Sequence, residues 1–552
     1  MRKLSWIFLL LLTACSKKPA DQPSTPVTPV NFSIQSWSVD GSTGVTSYVH
    51  VKPNPVIRLG FQAPINRTTV NGAIKLNTAS AVTVPYSVDY ASGDSVLIVQ
   101  PSAALDFLSR YSLVIGTGLQ SKSGGRLTSP TTINLYTQID STDKFARISD
   151  DALLTLVQRQ TFRYFWDFAH PVSGLARERN TSGDVVTTGG SGFGIMAIPA
   201  AVERGFITRA QALTRMQTVV GFLKNTAQKF HGAFPHWLNG TTGVVVPFSA
   251  KDNGADLVET SFLMMGLITA RQYFNDAGTA ETNLRNDINT LYNAVEWSWF
   301  RKNNEQVLYW HWSPNFAWDM NLPIRGWNEC LITYVLAASS TTHTIPKTVY
   351  DQGWAKDGTM RNGNPYYNIT LPLGPNLGGP LFFSHYSFLG INPTGLADAY
   401  ANYQDQVVNH SRINFEYCKA NPRSQVGYSD QCWGLTASDI PGGYTASSPT
   451  NDVGVIAPTA ALSSMPFTPN ASMAALRFFY YKLGDKIWKD YGFVDAFHLG
   501  NPWFADSFLA IDQGPIVVMI ENHRSQLIWN LFMSAPEVKA GMRKLGFTGP
   551  NL

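Results

Sequence analysis

The densest run of chemically capable residues is Lys251-Asp252-Asn253-Gly254-Ala255-Asp256-Leu257-Val258-Glu259-Thr260. Asp252, Asp256 and Glu259 stand at i, i+4 and i+7, a spacing that puts all three on one face of a helix. The continuation from Ser261 to Ile268 is apolar almost all round, as in a buried inner helix. Carboxyls at the head of such a helix are desolvated, which raises their pKa and suits proton transfer. Asp252 alone reads equally well as an N-cap. Three acids held together against their mutual repulsion point to function. A second run, Arg325-Gly326-Trp327-Asn328-Glu329-Cys330, opens another apolar helix with Glu329 at its head. Spacing leaves open whether Glu329 does chemistry or pairs with Arg325.

Several loops mix rings with carboxylates: Trp310-His311-Trp312 with Trp318-Asp319, Tyr428 to Trp433 with Ser438-Asp439, and Trp503 with Asp506 and Asp512. Arg177-Glu178-Arg179 and His385-Tyr386 add polar loop groups. Sugars suit such walls, because their C–H faces stack on rings while their uncharged hydroxyls need hydrogen-bond partners. Trp and Asp also stabilise loops, and isolated ion pairs contribute little, so each loop alone is a weak sign. The sequence has no GxSxG, HExxH, P-loop or GxGxxG after a strand. Paired carboxylates with aromatics remain, the equipment of glycoside hydrolysis.

Composition agrees. Of 552 residues, 44% are hydrophobic and only 14% charged, with a net charge of +4 and 15 Trp. That excludes a disordered chain and gives no electrostatic footprint for nucleic acid. Residues 1–14 read as an export signal: Arg2 and Lys3, then a short apolar run from Leu4 to Leu12. The run ends in Leu12-Thr13-Ala14-Cys15, which resembles a bacterial lipobox and implies a lipid on Cys15. Residues 15–30 read as a Pro/Ser/Thr tether. Cys330, Cys418 and Cys432 show no metal-ligand spacing; they are expected to be buried free thiols, with one disulfide open to them.

The elements that must position these residues fall into two blocks. Residues 31–139 alternate short β-branched runs with turn residues, which predicts a small antiparallel sandwich. This block resembles bacterial immunoglobulin-like modules. From 140 to 552 the periodicity predicts helices near 152–170, 195–204, 208–229, 254–274, 280–300, 327–339, 395–418, 471–483, 516–532 and 536–545. Long Gly/Pro/Trp-rich loops separate them. Many helices without alternating strands predict an (α/α) toroid with a cleft built from loops at one end.

The motifs "TFRYFWDFAHPVSGLARERN", "HGAFPHWLNG", "KDNGADLVETSFLMMGL", "HWSPNFAWDMNLPIRGWNECLITYVLAASS", "YSDQCWGLTASD" and "WFADSFLAIDQGPIVVMIENHRSQLIW" resemble the bacterial glycoamylase-like domain, glycoside hydrolase family 144, over about residues 150–548. The resemblance implies an (α/α)6 barrel that hydrolyses β-1,2-glucan or sophoro-oligosaccharides with inversion and without a metal or other cofactor. It implies Glu329 as general acid, with Asp252, Asp256 and Glu259 at the cleaved bond and Asp512 as a further candidate. An inverting pair is expected about 6.5–9.5 Å apart. The candidate substrate-binding residues are Arg177, Glu178, Trp237, His311, Trp312, Trp318, Asp319, Trp327, His385, Tyr386, Trp433 and Trp503. The expected protein is a monomer, exported and held by its lipid in the periplasm or at the outer-membrane surface. The competing readings are a non-catalytic glycan-binding lipoprotein, a hydrolase of another glucan linkage, and a polysaccharide lyase.

Overall fold

The computed structural model describes residues 29–552. The export signal, Cys15 and all but the end of the tether lie outside the described residues. The chain divides into two units, the first ending at Ile139 and the second starting at Asp140. No helix of the described residues is long and apolar enough to cross a membrane.

The first unit holds two five-stranded sheets. One centres on Ile57–Phe61 and Val96–Pro101, the other on Arg110–Ile115 and Thr131–Thr137. Alternate residues of these strands face inward, so Ile57, Leu59, Leu97, Val99, Leu113, Ile115 and Ile133 are all buried. Pairing is antiparallel except where Thr131–Thr137 runs parallel to Ser47–Val51.

The second unit alternates two kinds of helix. Outer helices are amphipathic: α1 (Asp150–Trp166), α3 (Arg209–Asn225), α5 (Thr279–Asn293), α7 (Tyr403–Ala420), α9 (Pro469–Ile487), α11 (Leu527–Met533) and α12 (Pro536–Leu545). Thr208 starts α3 with a reciprocal capping box to Gln211. Inner helices are buried on nearly every side: α2 (Thr188–Glu203), α4 (Leu257–Tyr273), α6 (Leu331–Ser339), α8 (Pro458–Ser463) and α10 (Ala510–Ser525). A 3-10 turn at Ser387–Leu389 fills the gap between α6 and α10. It is tied by Ser387 Oγ, which accepts the Ile332 amide at 3.0 Å, and by Leu389 O, which accepts Asn522 Nδ2 at 3.0 Å. Inner elements pack α2 on α4, α4 on α6, and α8 on α10, and α10 returns to α2. This closes the ring of a toroid.

Several predicted boundaries move for physical reasons. The helix expected from 195 begins at Thr188, inside a Gly-rich run. Those glycines are needed by packing: a Cβ on Gly192 would meet Phe262 O at 2.2 Å, and one on Gly266 would meet Gly192 O at 2.2 Å. The helix expected over 516–532 breaks at Gln526, which has φ 59°. The stretch from 395 to 402 is loop capped by Asn402, and α8 was not foreseen because it is a six-residue piece.

Candidate active site

The acidic trio does not share a helix face. Asp252 lies in the loop before α4, Asp256 is the N-cap and Glu259 sits in the first turn. Asp256 Oδ1 accepts the amides of Val258 and Glu259 at 3.0 and 2.9 Å. Its Oδ2 accepts Trp310 Nε1 and His236 Nδ1, each at 3.2 Å. A two-residue ladder pairs Asp256 with His311. That ladder brings His311 Nδ1 to 3.4 Å from Asp252 Oδ1 and 3.7 Å from Asp256 Oδ2. Burial works against ionisation of Asp256, yet His311, His236 and the Glu259 amide together hold its carboxyl below the ordinary range.

Glu259 projects from the same helix start but meets a different environment. Its Oε2 accepts the Gly189 amide, at the N-terminus of α2, at 2.7 Å. Burial, with the Asp256 and Asp252 charges, holds its carboxyl above the ordinary range, although His236 and the Gly189 amide pull it part of the way back. Glu329 stands in the turn just before α6, whose cap is Cys330, so the helix begins two residues later than its carboxyl. The turn is pinned where Ser387 Oγ donates to Glu329 O. Burial, then the Glu259 and Asp256 charges, lift the Glu329 carboxyl to about 7. Arg325 is not its partner: its guanidinium donates to Gln352 O at 3.2 Å.

Glu259 and Glu329 both open onto a cavity of about 450 Å³. One wall carries His236, Trp237, Phe248 and Trp310, with His236 stacked on Phe248 at 4.2 Å. The cavity is also lined by Glu178, Arg179 and Tyr444. Arg179 Nε donates to Glu178 at 3.0 Å, and Nη1 reaches Asp439 at 3.3 Å. Asp495 accepts the Asp439 amide at 2.7 Å. Asp495 and Asp512 touch through their carboxyls, and each has one buried oxygen with no donor to satisfy it. Two acceptors in contact hold together only if a proton lies between them.

The expected binding residues therefore divide. Glu178, Trp237 and Tyr386 line the cavity. Asp512, expected as a further catalytic candidate, does not line it; it is 2% exposed and paired with Asp495. Arg177 holds its own loop, donating to Phe168 O and Gly183 O. Trp312 and Trp318 pack against Trp299, and Asp319 pairs with Lys251 in solvent. Trp327 packs among Trp354, Phe388 and Tyr403, and Trp433 is wholly buried with Nε1 on Ala471 O. His385 bonds to Ser464 and is pushed down to about 3 by burial and His410, so it is a neutral core residue. Trp503 sits in a short hairpin with Phe497–His498, away from the cavity. His311 serves the acids rather than the cavity wall. Arg179 was marked only as a polar loop group beside Glu178, and sequence reading passed over His236, Phe248 and Tyr444 as binding residues. His236 lay unmarked in a quoted motif, and lone exposed aromatics such as Phe248 and Tyr444 carry no periodic signal.

One group among the described residues approaches metal-ligand geometry: His236, Asp252 and Asp256 place their ligand atoms within 4.8 Å of one another. Every oxygen of Asp256 is already taken by a donor, and both neighbouring imidazoles face carboxylates as ion pairs. The set fits internal charge pairing better than a coordination shell. Among the described residues Cys330, Cys418 and Cys432 are buried free thiols.

A family model described as "Putative glucoamylase" matches residues 321–536, and one described as "Bacterial Ig-like domain" matches residues 34–137. The chain is 48% identical to an exo β-1,2-glucooligosaccharide sophorohydrolase (non-reducing end) of Parabacteroides distasonis over 72% of its own length. It spans 58% of that curated relative's length. An endo-β-1,2-glucanase from Chitinophaga pinensis, solved with sophorotriose and glucose, is 53% identical with a TM-score of 0.72, covering 74% of this chain and 100% of that one. A β-1,2-glucanase structure from Parabacteroides distasonis is 38% identical with a TM-score of 0.71, covering 96% of this chain and 74% of that one.

Proposed function

This chain belongs to the glycoamylase-like family of glycoside hydrolases, family 144, and from that premise we propose that it hydrolyses β-1,2-glucan or sophoro-oligosaccharides with inversion. The observation that carries the proposal is the pair Glu259 and Glu329, carboxyls from the first turn of α4 and the turn before α6 that face one aromatic-walled cavity. Glu329, lifted to about 7, keeps a proton to donate to the glycosidic oxygen. Glu259 is the base. Asp256 has its lone pairs taken by the helix cap, Trp310 and His236, and Asp252 lies off the cavity wall. As the C1–O bond breaks, the leaving oxygen takes the Glu329 proton. Water attacks C1 from the opposite face and gives its proton to Glu259. Trp237, Tyr386 and Glu178 then bind sugar faces and hydroxyls, which needs neither metal nor cofactor.

We further propose that the protein is an exported monomer anchored through lipid on Cys15. Cys15→Ala should move it from the membrane to the soluble fraction.

The test of the hydrolase is the product profile on linear β-1,2-glucan beside other glucans. Glu329→Gln should fold normally and release almost no reducing sugar, with a loss of about 10²–10⁴-fold expected for a general acid. Undiminished turnover by that variant overturns the assignment.

A further inference from the structure

Two carboxyls that share a cavity and do opposite jobs must be kept in opposite protonation states, and they need different surroundings to achieve it. Among the described residues no cation stands beside Glu329. Glu259 has His236. We infer that His236, held by Asp256, is the charged residue that keeps Glu259 ionised so that it can accept the proton of water. This rests on the hydrolase reading above and adds a positioning residue to it.

The geometry is specific. His236 Nδ1 lies 3.2 Å from Asp256 Oδ2, and the Asp256 carboxyl is itself fixed by two amides and the Trp310 indole. Phe248 stacks on the ring at 4.2 Å and 25°, which holds the plane of the imidazole. With Nδ1 on Asp256, His236 lines the same cavity as Glu259.

The charged groups that act most strongly on the pair are these, with Glu178 and Arg179 further round the cavity wall. Glu259 faces His236, Asp256 and Asp252, and the Gly189 amide from α2; Glu329 stands across the cavity. His236 faces Glu259, Asp256 and Asp252, and His311 stands beside the same two aspartates. Three carboxyls thus crowd the base side, and burial with its neighbours holds Glu259 above the ordinary range, so the charge on His236 is what favours its ionised form. Burial opposes protonation of His236, but Glu259, Asp256 and Asp252 outweigh it and raise its pKa to about 9. The imidazole keeps its proton through the cycle and takes no part in bond making.

The experiment compares wild type with His236→Gln, which retains a donor for Asp256 but loses the charge. The pH dependence of kcat/KM on linear β-1,2-glucan is measured, and histidine ¹⁵N shifts of the wild type are recorded without substrate. His236 should be protonated at pH 7, and the acid limb of the variant should move up by about 1–3 pH units, as expected for loss of an adjacent opposite charge. An unmoved acid limb, or a neutral His236 at pH 7, overturns the inference. If the variant does not fold, the wild-type shifts still decide. Loss of wild-type activity on chelation, restored by a divalent cation, also overturns it, because His236 would then be a ligand. If the wild type releases no sugar at all, the hydrolase reading fails, while the NMR result still reports on the His236 charge.

Discussion

Glu259 Oε2 accepts the amide of Gly189 at 2.7 Å, so the base proposed on α4 is fixed by the first turn of α2. A Cβ added to Gly189 would lie 2.5 Å from that same oxygen. Gly189→Ala should therefore displace the carboxyl. A misplacement of about 1 Å costs on the order of 10² in rate, and kcat should fall accordingly while circular dichroism stays that of the wild type. A kcat within twofold of wild type would show that Glu259 need not sit where Gly189 puts it.

The toroid was legible in the sequence because α2, α4 and α10 are long and apolar, and the Ig-like block because its strands alternate. The meeting of Glu259 with Glu329 was half legible. Both were marked as acids heading buried helices, but a periodic reading put Asp252, Asp256 and Glu259 on one face. Asp256 instead uses its carboxyl to cap α4, so only Glu259 of the three reaches the cavity. Trp327 and Trp433 looked like sugar platforms from composition alone; whether an indole faces a cavity or a core is decided by distant packing. His236 acquires its meaning only from Asp256, 20 residues away in sequence.

Glu329 gives a pH dependence whose sign follows from its raised pKa of about 7. Activity that needs the protonated form should fall as pH rises through 7. The same shift has a consequence for stability. A carboxyl raised on folding contributes stability that is fully present below its unfolded pKa and lost as pH rises through the folded value. Glu329→Gln should thus be more thermostable than wild type at pH 8, by at most about 3 kcal/mol or a few degrees, and show little advantage at pH 4. Differential scanning calorimetry at the two pH values checks it; an equal difference at both would place the effect in packing.

The Asp495–Asp512 pair makes a similar prediction away from the cavity. Burial lifts Asp495 to about 7 and Asp512 well above the carboxylate range. The stability contributed by their shared proton is present at acid pH and lost as pH rises through 7 and beyond. Asp512→Asn supplies an amide donor that cannot be titrated away. Its Tm should exceed that of wild type at pH 9 and match it at pH 5, and a lower Tm at pH 9 would show that the pair is not held by a proton.

Tyr444 stands in the strand Gly443–Ala446 of a hairpin and is 50% exposed although it lines the cavity. A ring left half uncovered on the cavity wall has a free face, and a sugar ring is the flat partner that would cover it. Stacking of this kind is worth about 0.5–1.5 kcal/mol, or roughly two- to tenfold in an equilibrium constant. Tyr444→Ala should raise KM on β-1,2-glucan by that factor. Because the ring touches neither Asp256 nor the Gly189 amide, kcat should change less than KM. Steady-state kinetics on one oligosaccharide of defined length separates the two constants. A fall confined to kcat would mean that the hairpin acts on the chemistry through Asp439 and Arg179 and does not hold sugar.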